Sequence, residues 1–326
     1  MNIANLIFSL LFYQCKSIVY PPLKNRLQLD SMDYNLLAEQ LSSSDDHRVL
    51  TRLSPVIADP PEGDQDLRKA IFVDTETTGL DPSLDEIIEI GMVPFIYNAK
   101  SGEIVGTLPA FNALREPGCA ITPAITEITG ITPEMVSGKS IDPNDVREFM
   151  SGASLVVAHN SKFDRPFLEI FCPAFSLAPW ACSLEDVPWR EAGLSGGQLQ
   201  SLALQSGFFY DAHRAQTDCH AGIELMRRTR LRDGTHSFLS LLTKGRTPHF
   251  RIWAISSPFS LKDILKARGY RFNYEEDGRP RAWYVDKPAS EVQTEIDYLH
   301  KEIYQTDASP IVVVKIEPGD RFTNRV

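Results

Sequence analysis

Short apolar runs alternate with polar turns between residues 67 and 243, and their spacing predicts strands first and helices afterwards. The apolar segment Ala70–Val73 is typical of a buried strand, and the sequence IIEIGMVPFIY at Ile87–Tyr97 predicts a second one. The turn sequence NAKSGE leads into a third predicted strand, Ile104–Ala113. Because strands joined by a short loop with Asn and Gly favour an antiparallel hairpin, the region is expected to begin with one.

Helix signals dominate the rest of this region. Thr122 and Asp142 each precede a proline, and such pairs start helices because the side-chain oxygen accepts bonds from free backbone N–H groups. Short strands are predicted at LVVAH and at Ala181–Leu184, and further helices are predicted over Phe163–Phe171, Gln198–Gln205 and Arg214–Arg230. A hairpin followed by alternating helices and strands predicts an α/β layer fold with a mixed sheet.

The N-terminal 66 residues lack the alternating pattern of this region and are predicted to be an extension that ends in a Pro- and Asp-rich linker. Their first apolar run, Ile3–Tyr13, is too short to cross a bilayer, which needs about 20 residues. We expect translation to start at Met32 rather than to include residues 1–31. The segment after Met32 has the leucine spacing of a helix, at Leu36, Leu37 and Leu41.

The composition favours an enzyme over a protein that coats nucleic acid. The chain has 326 residues, of which 43% are hydrophobic, as in an ordinary globular protein. Its formal net charge of −10 argues against a protein that wraps long duplexes, but it allows an enzyme that recruits divalent cations. The five cysteines are widely spaced, so neither a disulfide framework nor a zinc cluster is expected, and a reducing cytoplasm fits.

The sequence DTETTGL places two acidic residues after the first predicted strand. Asp74 and Glu76 lie two positions apart, so in an extended chain both side chains point to the same face. Hard carboxylate oxygens of this kind are ligands for Mg²⁺ or Mn²⁺. Exposed acidic pairs at strand ends are common, however, so this motif alone does not identify a metal site.

Two later motifs carry acidic residues at helix starts. In HNSKFDRPFL, Asp164 follows a buried strand, and a helix cap is the alternative role for it. In HRAQTDCHA, His213 precedes Asp218 by five positions, while His159 and His220 are expected to be structural or exposed. Four carboxylates from separate segments predict a site for two metal ions, and a histidine, which titrates near neutral pH, suits the general base of a phosphodiester hydrolysis.

The three motifs resemble those of the DEDDh family of 3′–5′ exonucleases, which includes the proofreading subunit of the bacterial replicative DNA polymerase. The matching sequences are DTETTGL at 74–80, HNSKFDRPFL at 159–168 and HRAQTDCHA at 213–221. The resemblance covers residues 70–232 and implies a ribonuclease-H-like fold, with a five-stranded mixed sheet and flanking helices. Residues 67–243 are therefore expected to form the exonuclease domain, with the first three strands antiparallel.

The resemblance also implies roles for individual residues. It implies two Mg²⁺ or Mn²⁺ ions bound by the four carboxylates, with His213 activating the hydrolytic water. Tyrosine-type relatives have Tyr four residues before the last Asp, where this chain has Arg214, so the histidine type is favoured. The full expected set is metal ligands Asp74, Glu76, Asp164 and Asp218, general base His213, and substrate contacts Thr77, Thr78, Asn160 and Phe163.

Residues 250–305 predict a small α+β module, followed by a tail at 306–326 with one strand-like run, IVVVKI. Cations and aromatic rings interleave in the module, a pattern suited to single-stranded nucleic acid, although the rings could equally form its core. These residues are Lys262, Lys266, Arg268, Arg271 and Arg281 with Tyr270, Phe272, Trp283 and Tyr284.

Three functions remain open from the sequence. The favoured one is a DNA 3′–5′ exonuclease of repair or proofreading, which releases nucleoside 5′-monophosphates. The alternatives are an RNA 3′ exonuclease and a non-catalytic nucleic-acid-binding scaffold on the same fold. The expected partners are single-stranded or frayed 3′ ends and a DNA polymerase, without stable membrane association.

Overall fold

The computed structural model describes residues 33–59, 63, 66–274, 278–306 and 310–323. The predictions for residues 1–31 lie outside these ranges. The chain divides after Val49 into two compact units. The first contains helix α1 (Tyr34–Ser42), which begins at Asp33 because its carboxylate accepts bonds from the N–H groups of Asn35 and Leu36 at 3.0 and 3.2 Å. The helix predicted from the leucine spacing is thus confirmed.

The second unit is built on a mixed sheet, here called the main sheet. Its spatial order is β4–β3–β2–β6–β7, and β5 also pairs with β3. Strand β3 runs antiparallel to β2, β4 and β5, whereas β6 and β7 run parallel to β2. After the short β1 (Thr51–Arg52), the bounds are β2 (Leu67–Thr77), β3 (Ile87–Asn98), β4 (Ile104–Thr107), β5 (Phe111–Leu114), β6 (Val156–Ala158) and β7 (Trp180–Cys182).

The predicted α/β fold with a mixed sheet is confirmed, with one refinement. The third predicted strand is interrupted between Thr107 and Phe111, where Pro109 has no N–H to donate, so β4 and β5 are two segments beside the same strand. The sheet therefore has five strand positions, as expected, although six segments fill them.

Helices cover both faces of the main sheet. Thr122 caps α2 by accepting from the N–H of Ile125 at 3.3 Å, and Asp142 caps α4 by accepting from that of Asn144 at 2.8 Å, as the Thr-Pro and Asp-Pro signals predicted. The bounds are α2 (Pro123–Thr129), α3 (Pro133–Val136), α4 (Pro143–Met150), α5 (Ser161–Phe171), α6 (Ser183–Asp186), α7 (Leu199–Gln205), α8 (Ala215–Arg228) and α9 (Ser237–Arg246). No helix among the described residues is long and apolar enough to cross a membrane.

Alternation along β2 produces two cores. Phe72 faces the cluster that contains Leu225 and Met226 of α8, whereas its neighbours Ile71 and Val73 face the cluster around α4 and α5. All five of these side chains are fully buried, and each contributes about 1.5–3 kcal/mol relative to exposure. Successive residues of β2 therefore point to different helices, so the same alternation determines which helix the acidic residues of β2 face.

The segment before β2 pairs with two other parts of the second unit. β1 pairs in parallel with the short strand β8 (Phe208–Phe209), and Ile57 bridges Thr107 of β4. A Cβ on Gly106 would lie 2.6 Å from the carbonyl oxygen of Val56, so glycine permits this close approach. Residues 50–58 are therefore held against the domain by backbone bonds.

The C-terminal module forms a second, antiparallel sheet in the order β10–β11–β9–β12. Its core contains Ile252, Leu265 and Leu299, and the predicted run IVVVKI forms its last strand. The bounds are β9 (His249–Ala254), α10 (Lys262–Ala267), β10 (Arg271–Phe272), β11 (Trp283–Pro288), α11 (Val292–Tyr298), which continues as a π-helix over Leu299–Tyr304, and β12 (Ile311–Ile316).

The residues after β12 return to the main sheet. Arg165 of α5 is fully buried and donates to the backbone carbonyls of Gly319 and Arg321. Arg321 in turn forms a buried ion pair with Asp186 of α6 at 2.6 Å and lies 3.4 Å from the carbonyl oxygen of Trp180 on the edge strand β7. The second sheet is thereby attached to the main sheet at both of its ends.

Candidate active site

The three acidic motifs meet at the edge of the main sheet where β2 and β6 end. Asp74 and Glu76 lie on the face of β2 that carries α8, and Asp218 lies in the first turn of that helix. Carboxylate oxygens of these three residues lie within 4.8 Å of one another, beside a pocket of about 200 Å³. The arrangement presents converging hard oxygen atoms, the ligands that divalent cations prefer.

Asp164 reaches the same pocket from the opposite face of β2. It lies in the first turn of α5, and its Oδ1 accepts from the backbone N–H and the hydroxyl of Thr75 at 3.0 and 2.9 Å. Thr75 points towards α5 because it alternates with Asp74 and Glu76 on the strand. Asp164 therefore lines the pocket but stands apart from the three-residue oxygen cluster.

The electrostatics of the pocket favour a bound cation. Burial, and then the charge of Asp218, raises the pKa of Glu76 to about 8, and burial raises the pKa of Asp164 to about 7. Burial followed by repulsion from Asp164 and Asp218 holds the pKa of Asp74 well above its usual range. Because the negative charges have too little compensation from the protein, the donor set fits a divalent metal ion.

His213 lines the pocket from the loop before α8. Its side chain is exposed, and its backbone adopts a left-handed conformation with φ of 66°, which is uncommon for a residue other than glycine. The next N–H, that of Arg214, donates to Oδ2 of Asp218 at 3.1 Å. The sharp turn therefore holds the histidine beside the last acidic residue.

A buried glutamate that the sequence analysis missed holds this turn in place. Glu89 of β3 accepts from the guanidinium of Arg214 at 3.0 Å and from the N–H of Ala215 at 3.2 Å. Two residues on, a Cβ at Gly91 would lie 2.4 Å from the backbone of Ala215, so only glycine lets α8 approach this closely. An acidic residue inside the apolar run IIEIGMV was the available signal for Glu89.

Tyr210 is a second residue that sequence reasoning left out of the site. Its hydroxyl donates to Oδ1 of Asp218 at 2.9 Å, so both carboxylate oxygens of that residue have donors. The tyrosine lies eight positions before Asp218, and spacing alone gave no reason to expect the contact. It orients the carboxylate in the pocket.

Two of the expected substrate contacts line the pocket. Asn160 is exposed and has φ of 94° just before α5, while Phe163 is half-buried with its ring 5.2 Å from that of Phe167. His159 also lines it, and its ring is fixed by Ser183 at 2.8 Å and by the carbonyl oxygen of Gly197 at 2.7 Å. Phe163 therefore serves both the core and the pocket.

The other two expected substrate contacts point elsewhere. Thr77 and Thr78 are buried, and the pocket wall is formed by Thr75 and Leu199 instead. The hydroxyl of Thr77 donates to the carbonyl of Gly79 at 2.5 Å, and that of Thr78 bonds with Asp85 at 3.3 Å. Their hydroxyls are thus engaged within the loop that follows β2, and contact of these two residues with substrate stays a prediction.

Comparison with known proteins places this chain in a family. The family model described as Exonuclease (RNase_T) matches residues 71–226. The DNA polymerase III subunit epsilon of Treponema pallidum is 34% identical over 162 residues, an alignment that covers 47% of this chain and 72% of that protein. The chain therefore belongs to this family of exonucleases, and the resemblance drawn from the motifs is confirmed.

Other relatives match over shorter stretches. The PolC-type DNA polymerase III of Thermotoga petrophila is 41% identical over 112 residues, which cover 33% of this chain but only 8% of that protein. The chain thus spans less than a tenth of the length of this relative and of its Thermotoga maritima counterpart, which is matched over 9% of its length.

Two solved structures also match part of this chain. Exonuclease X in complex with 5′-overhanging duplex DNA has 26% identity and a TM-score of 0.39, covering 53% of this chain and 99% of that one. Exonuclease I has 17% identity and a TM-score of 0.46, covering 77% and 63%. Because both scores are low, the family assignment depends on the sequence relatives alone.

Proposed function

We propose that this protein is a metal-dependent 3′–5′ exonuclease, which hydrolyses the phosphodiester bond at a nucleic-acid 3′ end and releases nucleoside 5′-monophosphates. The observation that carries the proposal is the convergence of Asp74, Glu76 and Asp218 within 4.8 Å, with Asp164 and His213 in the same pocket. Membership of the exonuclease family supports it.

Four carboxylates, those of Asp74, Glu76, Asp164 and Asp218, are the proposed metal ligands. Two Mg²⁺ or Mn²⁺ ions bound there would clamp the scissile phosphate and lower the pKa of an attacking water. Thr75 orients Asp164 through two hydrogen bonds that both end on Oδ1, so Oδ2 of this carboxylate is left for the metal ligand set.

His213 is the proposed general base. Its imidazole is exposed on the pocket wall, so it can reach the attacking water and take its proton. The ion pair between Arg214 and Glu89 of β3 holds the loop before α8 in place. It therefore limits how far the imidazole can move away from Asp218. A base held in position in this way contributes about 10²–10⁴-fold to a rate.

The pocket is suited to one terminal nucleotide. At about 200 Å³ it cannot hold a long segment, which favours stepwise release of mononucleotides. Asn160 offers an amide for hydrogen bonds with the nucleotide, and Phe163 offers a partly exposed ring for apolar contact. We assign these two residues to substrate binding.

DNA is the substrate that we favour, and a DNA polymerase is the partner that we favour. Both choices rest on the relatives, which are named as subunits or types of DNA polymerase III. A reducing compartment such as the cytoplasm is proposed because Cys119, Cys172, Cys182 and Cys219 are all free.

The test is a gel assay with 5′-labelled single-stranded DNA and RNA oligomers in Mg²⁺ or Mn²⁺. We expect a ladder that shortens from the 3′ end, that disappears in EDTA, and that forms faster on DNA. The Asp74→Ala variant should form no ladder, whereas Glu127→Ala, which removes an exposed carboxylate from α2, should match the wild type. Folded protein that forms no ladder with metal present would favour the non-catalytic scaffold, and faster RNA cleavage would favour the RNA exonuclease.

A further inference from the structure

A second cavity of about 450 Å³ lies between the main sheet and the C-terminal module. One wall is formed by α6 and the end of α9, and the other by β11 and residues 320–323. Among the described residues that line it are seven lysines and arginines and five acidic residues. The cavity thus has an excess of cations in a chain whose formal net charge is −10, and we call it the basic cleft.

Most of the acidic residues in the basic cleft are already engaged. Arg251 pairs with Asp286 through two bonds of 2.8 and 2.9 Å, and Arg321 pairs with Asp186 at 2.6 and 3.0 Å. Another carboxylate, that of Glu185, lies 2.6 Å from a lysine of α5. Lys287 also pairs with Glu291, at 3.1 Å. These pairs neutralise most of the walls, so a cation without an acidic partner decides the charge that the cleft offers to a ligand.

Arg271 is a cation of this kind. It lies on β10, its side chain is exposed, and it faces the basic cleft. In the part of the chain that the structure describes, no acidic side chain pairs with it. Its planar guanidinium can therefore bind an incoming phosphate through two hydrogen bonds without breaking an existing contact.

The basic cleft adjoins the active-site pocket. Lys162, in the first turn of α5, lines the cleft, while Phe163 and Asp164, the next two residues, line the pocket. A second pair of neighbouring elements lies between the two cavities: His159 of the pocket bonds at 2.8 Å with Ser183, the first residue of α6, and the last two residues of α6 line the cleft. A strand whose 3′ end occupies the pocket can therefore continue past Lys162 into the cleft.

We propose that the basic cleft binds the phosphodiester backbone of the single-stranded segment that lies 5′ to the terminal nucleotide, with Arg271 as a phosphate ligand. The proposal rests on the proposed exonuclease function, because that function places the 3′ end in the neighbouring pocket. Contacts to the backbone carry no base preference, so the cleft supplies affinity and retention of the strand rather than sequence selectivity.

The direct test is fluorescence anisotropy of full-length protein with a labelled 20-nucleotide single strand, in an Asp74→Ala background that prevents cleavage. Arg271→Glu should raise Kd about tenfold or more, as expected for the loss of a charged hydrogen bond, and should reduce the salt slope of log K by about 0.7. Arg271→Lys should largely restore binding. The matched control is Lys266→Glu, the same charge change on an exposed residue of α10 outside the cleft.

An assay with a small substrate distinguishes an effect on the cleft from an effect on the catalytic site. With Asp74 intact, hydrolysis of the p-nitrophenyl ester of thymidine 5′-monophosphate should be unchanged by Arg271→Glu, because this ester reaches only the pocket. If the wild type hydrolyses neither this ester nor a single-stranded oligonucleotide while strand binding still depends on Arg271, the exonuclease proposal fails, but the proposal that the cleft binds the strand is retained. If Arg271→Glu and Lys266→Glu raised Kd equally, or if neither changed it, the proposal that the cleft binds the strand would be refuted.

Discussion

Replacing Gly91 by alanine should displace the helix that carries Asp218. Gly91 lies on β3 under the start of α8, and an added Cβ would be 2.4 Å from the carbonyl carbon of Ala215 and 2.5 Å from the nitrogen of Gln216. Both are backbone atoms, so no change of side-chain rotamer can relieve the contact. The helix or the strand has to move.

The size of the effect follows from the geometry. Ordinary Cβ contacts begin at 3.4 Å, so the backbone must separate by about 1 Å. A misplacement of that size in catalytic groups lowers a rate about 100-fold. Overpacking of a core costs about 1–3 kcal/mol of unfolding free energy, which in a domain of about 150–250 residues lowers Tm by about 2–12 °C.

The assay is kcat on a labelled oligonucleotide at saturating metal, well below Tm, together with a thermal melt. Gly222→Ala, also on α8, places its Cβ 2.3 Å from the ring of Phe72, so it matches the destabilisation without pressing on the backbone beside Asp218. Gly245→Ala meets nothing closer than 3.5 Å and should behave as wild type. A destabilised Gly91→Ala protein that kept the wild-type kcat would refute this reasoning.

Three further predictions concern the groups around the pocket. Glu89→Gln should lower the free energy of unfolding by about 1–3 kcal/mol in urea titrations and lower kcat, because a buried carboxylate then no longer holds the turn before α8; an unchanged midpoint would contradict this. Tyr210→Phe removes the 2.9 Å donor to Asp218, so the Mg²⁺ concentration for half-maximal activity should rise about 10- to 100-fold, with melts serving as the control for folding. In EDTA, the free energy of unfolding should fall as pH rises from about 4 to 8. In that window the folded state binds more protons than the unfolded one, since burial raises the pKa of Glu76 to about 8 and of Asp164 to about 7. Mg²⁺ should remove most of this slope, and a stability that rose with pH in EDTA would show that the carboxylates are compensated by the protein.

Local signals were sufficient for most of the elements. The starts of α2 and α4 follow from Thr122 and Asp142 because a cap is decided within three residues. The antiparallel pairing of β3 with β4 follows from their apolar runs and the short turn NAKSGE between them. That Asp74 and Glu76 lie close together was also predictable, because alternation along one strand places both side chains on one face.

Contacts between distant segments were not predictable in this way. Glu89 meets Arg214 across 125 residues, and no local pattern pairs an acid inside an apolar strand with a particular arginine. The pairing of β1 with β8 likewise depends on backbone bonds between segments whose sequences carry no matching signal. The positions of the Thr77 and Thr78 side chains were not predictable either, because Thr78 bonds with Asp85, which lies seven residues further along the chain.

The return of the chain after β12 gives the C-terminal module the topology of an insertion. The polypeptide leaves the main sheet after α9 and comes back where Arg321 pairs with Asp186 and where Arg165 binds the carbonyl of Gly319. A module attached by one linker can swing, whereas one anchored at both ends keeps a fixed distance from its host. The width of the cavity between them is therefore a property of the fold, and lengthening the connection between α9 and β9 should leave that width nearly unchanged.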